Sequence, residues 1–308
     1  MLELLIAPAA FAVGASFGAW WIKYQKKIGL VSLDIYKNKP GVPKAGGLAA
    51  LVAGSLGLAL LALRANDAAL AYGALAAFAV GVVGLLDDLR DLSEGVRVAV
   101  PLATAIALYL AVKLKMTLPF MGTFYSPAWL AVLAIPITTN AYNMLDPVNG
   151  FLPLSNAIIG ASLAASAYLR GDLNAANAFA VHVAASLSLY LYNKYPAKAF
   201  NGNVGSYFLG AEIATLAAIY DMVPQLIFAS MPYVVNGILI IFSTKGIKGR
   251  GKISRPTSLV GGKVHQNCDS ETLSLVRLLV ADGALDEYGI FKDLTLLTLI
   301  TSLLSVIL

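Results

Sequence analysis

The apolar residues of this chain gather into long blocks separated by shorter polar stretches. The blocks fall at 3–22, 46–63, 69–86, 98–112, 128–145, 152–169, 175–192, 204–220, 223–243 and 292–308. Crossing the hydrocarbon core of a bilayer takes roughly 20 mostly apolar residues per helix. The pattern therefore predicts an all-α polytopic membrane protein of about ten transmembrane helices. The fifth and eighth blocks contain or adjoin polar motifs, so their ends are the least sharply marked. One long polar excursion, 244–291, interrupts the series before the last block. Within it the pattern predicts a short hairpin around Gly261 and Gly262, then an amphipathic helix near Glu271 to Ala281. The whole of 1–308 reads as a single transmembrane domain that carries this excursion.

Composition excludes a soluble globular class, because 58% of the residues are hydrophobic and only 13% are charged. The first block has Glu3 ahead of it and lacks a basic leader and a small-residue cleavage site, so it is expected to be an uncleaved span. A single cysteine, Cys268, rules out an internal disulfide. Charge placement adds orientation. Eighteen of the 22 Lys and Arg residues fall in stretches that follow odd-numbered spans, against Arg64, Lys113, Lys115 and Arg170 on the other side. By the positive-inside rule the basic stretches are cytosolic and both termini lie outside.

Every polar stretch of chemical interest falls on that basic side. "DIYKNKPGVPKAGG" follows the first span, "LLDDLRDLSEGVR" the third, and "NAYNMLDPVNG" closes the fifth. "KAFNGNVGS" precedes the eighth span and "KGRGKISRP" lies in the excursion. A channel or transporter would place polar groups along the membrane path; gathering at one face points to a site at the interface. In "DDLRD", a helix end would present Asp87, Asp88 and Asp91 together, exposed, with Arg90 and Arg97 nearby. Hard oxygen ligands of this kind suit Mg²⁺, which arrives with phosphate oxygens. Asn140, Asn143, Asp146 and Asn149 recur every third residue, a polar stripe on one side of a helix that Pro147 and Gly150 then break. Four such groups at the end of an apolar span are costly without partners, which marks a ligand site. Arg250, Lys252 and Arg255 cluster in a glycine-containing turn suited to an anionic diphosphate. His182, inside the seventh span, is expected to be a packed histidine.

Taken together, "DDLRD" after the third span, "NAYNMLDPVNG" after the fifth and "FNGNVGS" before the eighth resemble the polyprenyl-phosphate N-acetylhexosamine-1-phosphate transferases. The resemblance covers nearly the whole chain in span order. It is strongest to the eukaryotic and archaeal dolichyl-phosphate N-acetylglucosamine-1-phosphate transferases, through Asn149, the "RGKISR" turn, "TSLVGGKVHQ" and "DEYGIFKDLTLLTLI". The resemblance implies transfer of a sugar-1-phosphate from a UDP-sugar to dolichyl or polyprenyl phosphate, with release of UMP, as the first membrane step of an N-glycosylation-type assembly. It implies Mg²⁺ as cofactor, held by Asn143 and Asn203, with Asp87 and Asp88 beside the attacking phosphate and Arg97 on the diphosphate. Phe200 matches a ring that stacks on uracil, Asn149 an amide that reads its edge, and Arg250, Lys252 and Arg255 a basic turn over the sugar diphosphate. Asn140 and Asp146 complete the expected substrate-binding set.

Two positions depart from the pattern. Lys44 stands where the eukaryotic enzymes carry an acid near the sugar, and Asn203 where the family has Asp. The expected partners are the nucleotide sugar and the lipid phosphate in the bilayer; a homodimer is compatible with this reading, and no nucleic acid is implied. The expected location is a plasma membrane in a prokaryote or the endoplasmic reticulum in a eukaryote, with the site on the cytosolic face. The alternative reading is a non-catalytic transporter or binding protein for lipid-linked or nucleotide sugars. A membrane prenyltransferase would need a second acid-rich motif, and the sequence has none.

Overall fold

The computed structural model describes residues 3–118, 121–125, 129–246 and 253–308. Helix α1 (Ile6–Lys27) leads into a two-stranded hairpin, β1 (Val31–Asp34) and β2 (Lys39–Pro43), and then into α2 (Leu48–Ala65). Helices α3 (Ala68–Arg90) and α4 (Glu94–Ala111) follow, then a small hairpin, β3 (Met116–Leu118) and β4 (Gly122–Phe124). The fifth apolar block is split into α5 (Trp129–Val132) and α6 (Ala134–Met144). Helices α7 (Phe151–Leu169), α8 (Leu173–Asn193) and α9 (Gly202–Ile219) come next, then α10 (Val223–Ala229) and α11 (Met231–Ser243). The excursion folds as β5 (Thr257–Val260), β6 (Lys263–Gln266), the short α12 (Leu275–Leu279) and β7 (Leu285–Asp286), an antiparallel sheet in the order β5-β6-β7. Helix α13 (Glu287–Ser305) closes the chain.

Among the described residues, all ten apolar blocks therefore fall largely on helices. Seven of these, among the described residues, are long and apolar enough to cross a membrane, or eight if α10 and α11 are one span bent by 76°. The fifth block falls short because Pro136 has no N–H to bond the Val132 carbonyl, so the helix breaks there and α6 has only 11 residues. At about 1.5 Å per residue that covers roughly half of a hydrocarbon core of about 30 Å. The excursion's helix is also much shorter than the pattern suggests, and the last helix starts at Glu287 rather than at 292.

Helix α9 is the axis of the bundle. It packs against α2, α3, α6 and α8, and almost all of its residues are buried. Close approach of its first turn to α2 depends on glycine: a Cβ on Gly47 would lie 2.2 Å from the Gly205 Cα. Deeper in the bundle α9 buries Glu212, whose Oε2 lies 2.7 Å from His182 Nδ1 on α8, both residues fully enclosed. His182 is thus the packed residue expected, with an acid as its partner. The mostly helical, apolar architecture is that of a polytopic membrane protein.

Candidate active site

The C-terminal ends of α3 and α6 and the N-terminal ends of α4, α7 and α9 meet the β1–β2 hairpin at one end of the bundle, joined by side-chain hydrogen bonds. Asp87 and Asp88 sit in the last turn of α3, which ends as Asp91 adopts a left-handed conformation, φ 54°. Asp88 receives the first N–H groups of α9 on both oxygens, Asn203 N at 2.9 Å and Val204 N at 3.0 Å. The orphan donors of a helix start thereby bind an anion where the helix dipole favours it. Asp87 Oδ1 accepts from Leu92 N at 2.7 Å and from the Arg97 guanidinium, Nε at 3.0 Å and Nη2 at 2.9 Å. Its Oδ2 accepts from the Asn203 side-chain amide at 2.7 Å.

These contacts correct the expectation of an exposed acidic helix end. Asp87 and Asp88 are buried, at 3% and 6% exposure, because α9 and Arg97 cover them; Asp91 alone projects outward, held by Arg97 Nη2 at 2.9 Å. Gly202 makes the cover possible. Its φ is +68°, and a Cβ there would fall 2.4 Å from Asp88 Oδ2.

The polar stripe is also revised. Helix α6 ends at Met144, so Asn140 and Asn143 are helical whereas Asp146 and Asn149 belong to the loop that follows. Asn140 donates back to the Pro136 carbonyl at 2.7 Å within its own helix, and no bond joins it to the other site residues among those described. Asn143 Oδ1 accepts from Ser206 Oγ on α9 at 3.2 Å, and Asp146 accepts from the Asn201 amide at 2.9 and 3.0 Å. Asn149 donates its backbone N–H to Glu287 Oε1 and its side-chain amide to Asp34 Oδ2, each at 3.2 Å.

An open cavity of about 230 Å³ lies beside this cluster. Its lining includes Asp34, Tyr36, Asp146, Asn149, Phe200 and Asn201. The lining residues Asp34 and Tyr36 have charged neighbours that the sequence did not single out. Lys37 Nζ bridges Asp34, at 3.1 Å, and Glu287, and lies 4.6 Å from the centre of the Tyr195 ring. Burial alone would pull the Lys37 ammonium down, but its bonds to Glu287 and Asp34 and their charge hold it above the ordinary lysine value. Burial and the same two carboxylates push the Tyr36 phenol up to about 12, so its hydroxyl stays protonated and donates to the Pro147 carbonyl at 3.0 Å. The spacing of Asp34 and Lys37 was available as a signal; Glu287, some 250 residues away, was not.

The basic turn is only partly on view. Arg250 and Lys252 lie outside the described residues. Arg255 is exposed, with its carbonyl accepting from Asn267, and no bond joins its side chain to the described residues of the site.

Comparison with known proteins decides the family. A model described as glycosyl transferase family 4 matches residues 70–221. A Saccharolobus solfataricus protein named "Putative UDP-N-acetylglucosamine--dolichyl-phosphate N-acetylglucosaminephosphotransferase" is 32% identical over 100% of this chain and 96% of its own length. The chain belongs to glycosyl transferase family 4. A Bacillus subtilis relative, "Probable undecaprenyl-phosphate N-acetylglucosaminyl 1-phosphate transferase", is 33% identical over 70% of this chain and 62% of its own length. A Clostridium botulinum "Phospho-N-acetylmuramoyl-pentapeptide-transferase" is 29% identical over 75% and 76%. The stretch matching the family 4 model runs from the start of α3 to the end of α9, and so contains Asp87, Asp88, Arg97, Asn143 and Asn203.

The oxygen donors of this family 4 site are hard carboxylate and amide groups, the chemistry that Mg²⁺ selects. No group of three or more His, Cys, Asp or Glu residues among those described is arranged to hold a metal alone. Asn143 and Asn203 are neutral, and Asn203 turns its amide nitrogen to Asp87. The set fits a magnesium ion that brings anionic ligands with it better than one held by protein alone.

Proposed function

We propose that this family 4 protein transfers N-acetylglucosamine-1-phosphate, or a related N-acetylhexosamine-1-phosphate, from a UDP-sugar to a dolichyl or polyprenyl phosphate. The observation that carries this reading is the single hydrogen-bonded cluster of Asp87, Asp88, Arg97 and Asn203 beside a cavity walled by Phe200 and Asn149. The full-length likeness to a protein named for that reaction supports it.

In the proposed reaction a lipid phosphate oxygen forms a bond to the β-phosphorus of the donor. The bond from that phosphorus to the bridging oxygen breaks in line, and UMP leaves with the electron pair. The protein's part in such a step is positioning and charge neutralisation. Arg97, held by Asp87 and Asp91, offers a guanidinium to the diphosphate. Asp88 ties the start of α9 to the end of α3 and so sets Asn203 across from Asp87. Asn143 and Asn203 would hold magnesium together with the donor's phosphates; when bound, it offsets charge on the transferring group. Phe200 offers a face to the base and Asn149 an amide to its edge.

We place this end of the bundle on the cytosolic face, on the strength of the eighteen Lys and Arg residues in the stretches that follow odd-numbered blocks. The test is transfer of radiolabel from UDP-N-acetylglucosamine to a polyprenyl phosphate by purified protein, with and without Mg²⁺. Metal-dependent lipid product with equimolar UMP is expected. Movement of label across vesicles without lipid product would instead support a transporter.

A further inference from the structure

We infer that Asp34 is a positioning residue that sets the base selectivity of the donor site, by dictating which end of the Asn149 amide faces the cavity. The inference rests on the transferase reading, in that it takes the cavity beside Phe200 as the nucleobase site.

Asp34 is 2% exposed and surrounded by donors. Its Oδ1 accepts from the backbone N–H groups of Tyr36 at 3.1 Å and Lys37 at 3.3 Å. Its Oδ2 accepts from Lys37 Nζ at 3.1 Å and from Asn149 Nδ2 at 3.2 Å. With a lysine ammonium and three further donors around it, the Asp34 carboxylate accepts on both oxygens. The Asn149 amide cannot turn its oxygen to this group without setting two acceptors against each other in a buried place. The hydrogen-bond network therefore assigns the two ends of an amide whose shape alone would leave them equivalent.

The backbone beneath the amide is held as well. Glu287 Oε1 takes the Asn149 N–H, and the Tyr36 hydroxyl takes the Pro147 carbonyl. With nitrogen committed to Asp34, Asn149 presents Oδ1 as an acceptor, and among the described residues no protein donor meets it.

A lone acceptor distinguishes the two pyrimidines. Uracil carries a hydrogen on N3 and can donate it; cytosine has a lone pair at the same atom. A site built to bond one partner disfavours an analogue that leaves its polar group unmatched. Asp34 thus makes the cavity a uridine site, although its own carboxylate need not touch the base. An amide at position 34 could offer either end, so Asn149 could turn and meet cytosine N3 with its nitrogen.

The experiment is calorimetric binding of UMP, CMP and N3-methyl-UMP to the detergent-solubilised protein. The parent is expected to favour UMP over both others by at least about tenfold. Equal binding of UMP and CMP by the parent would overturn the inference, and this arm needs no variant to fold. In Asp34→Asn, and independently in Asp34→Ser, the UMP:CMP ratio should shrink by about tenfold, with a rise in KM for the UDP-sugar larger than any fall in kcat. A merely structural role would weaken both nucleotides alike and leave the ratio intact. Asn149→Ala separates the two levels of argument. If it leaves UMP affinity unchanged, the base does not bind here and the reading of the cavity falls. If it weakens UMP while the Asp34 variants keep the parental ratio, only the role of Asp34 falls.

Discussion

Asp87 and Asp88 are neighbours in sequence but do different work. Both oxygens of Asp88 are occupied by backbone N–H groups of α9, so an asparagine there would press an NH₂ against a backbone donor. Asp88→Asn is expected to cost about 1–3 kcal/mol of stability, seen as a lower melting temperature in detergent. Asp87 mainly holds side chains, Arg97 and Asn203. Asp87→Asn is expected to stay folded and lose roughly 10²-fold or more in turnover, measured by label transfer. Near-parental rates in Asp87→Asn would place the chemistry elsewhere. Asn203 sets up a third expectation. Its amide nitrogen donates to Asp87, so Asn203→Asp would bring two carboxylates together at 2.7 Å. Their repulsion raises the attraction for a cation. Without Mg²⁺ the variant should melt lower than the parent; with Mg²⁺ it should recover and transfer faster at lower metal concentration. Coinciding magnesium titrations of the two proteins would remove residue 203 from the metal shell.

Helices and hairpins show why some of the site was legible and some was not. Each motif that lies on a contiguous stretch could be read, since "DDLRD", "NAYNMLDPVNG" and "FNGNVGS" carry their own spacing and sit at the edges of apolar blocks. The structure brings Asp87, Asp88, Arg97, Asn203 and Asn143 to one place, as those stretches suggested. What failed was the assumption that a period of three continues a helix. Pro136 weakens α6 at its start and the turn at Met144 ends it, so Asp146 and Asn149 took loop positions with new partners. The ion pairs of Lys37 with Asp34 and Glu287 join the first hairpin to the last helix, and no local pattern pairs residues so far apart. Packing between elements gives a further test. The starts of α2 and α9 touch through Gly47 and Gly205. Gly47→Ala forces those backbones apart and is expected to cost about 1–3 kcal/mol as overpacking, read as a lower melting temperature; an unchanged one would mean that α2 can shift without strain.

For the whole molecule, orientation is the property that the proposed chemistry most depends on, because nucleotide sugars and basic loops must share a side. The chain carries its own reporter. Cys268 is its sole cysteine, and it is exposed in the excursion between β6 and α12. A membrane-impermeant maleimide should label Cys268 in inverted vesicles and spare it in sealed right-side-out cells or spheroplasts. Labelling from the outside would reverse the assigned topology. The burial of α9 has a consequence for biogenesis. This helix is almost wholly enclosed by its neighbours, and it carries Glu212 near its middle. An acid at the centre of an isolated span opposes insertion by on the order of 3 kcal/mol. His182 on α8 supplies the hydrogen-bond partner that lowers this barrier. Residues 173–219, fused to a translocation reporter, should therefore enter the membrane as a helical pair more often than residues 202–219 alone, and His182→Leu should reduce that advantage. The helix that organises the site is thus poorly able to enter the bilayer by itself, and its arrival waits on the helix made just before it.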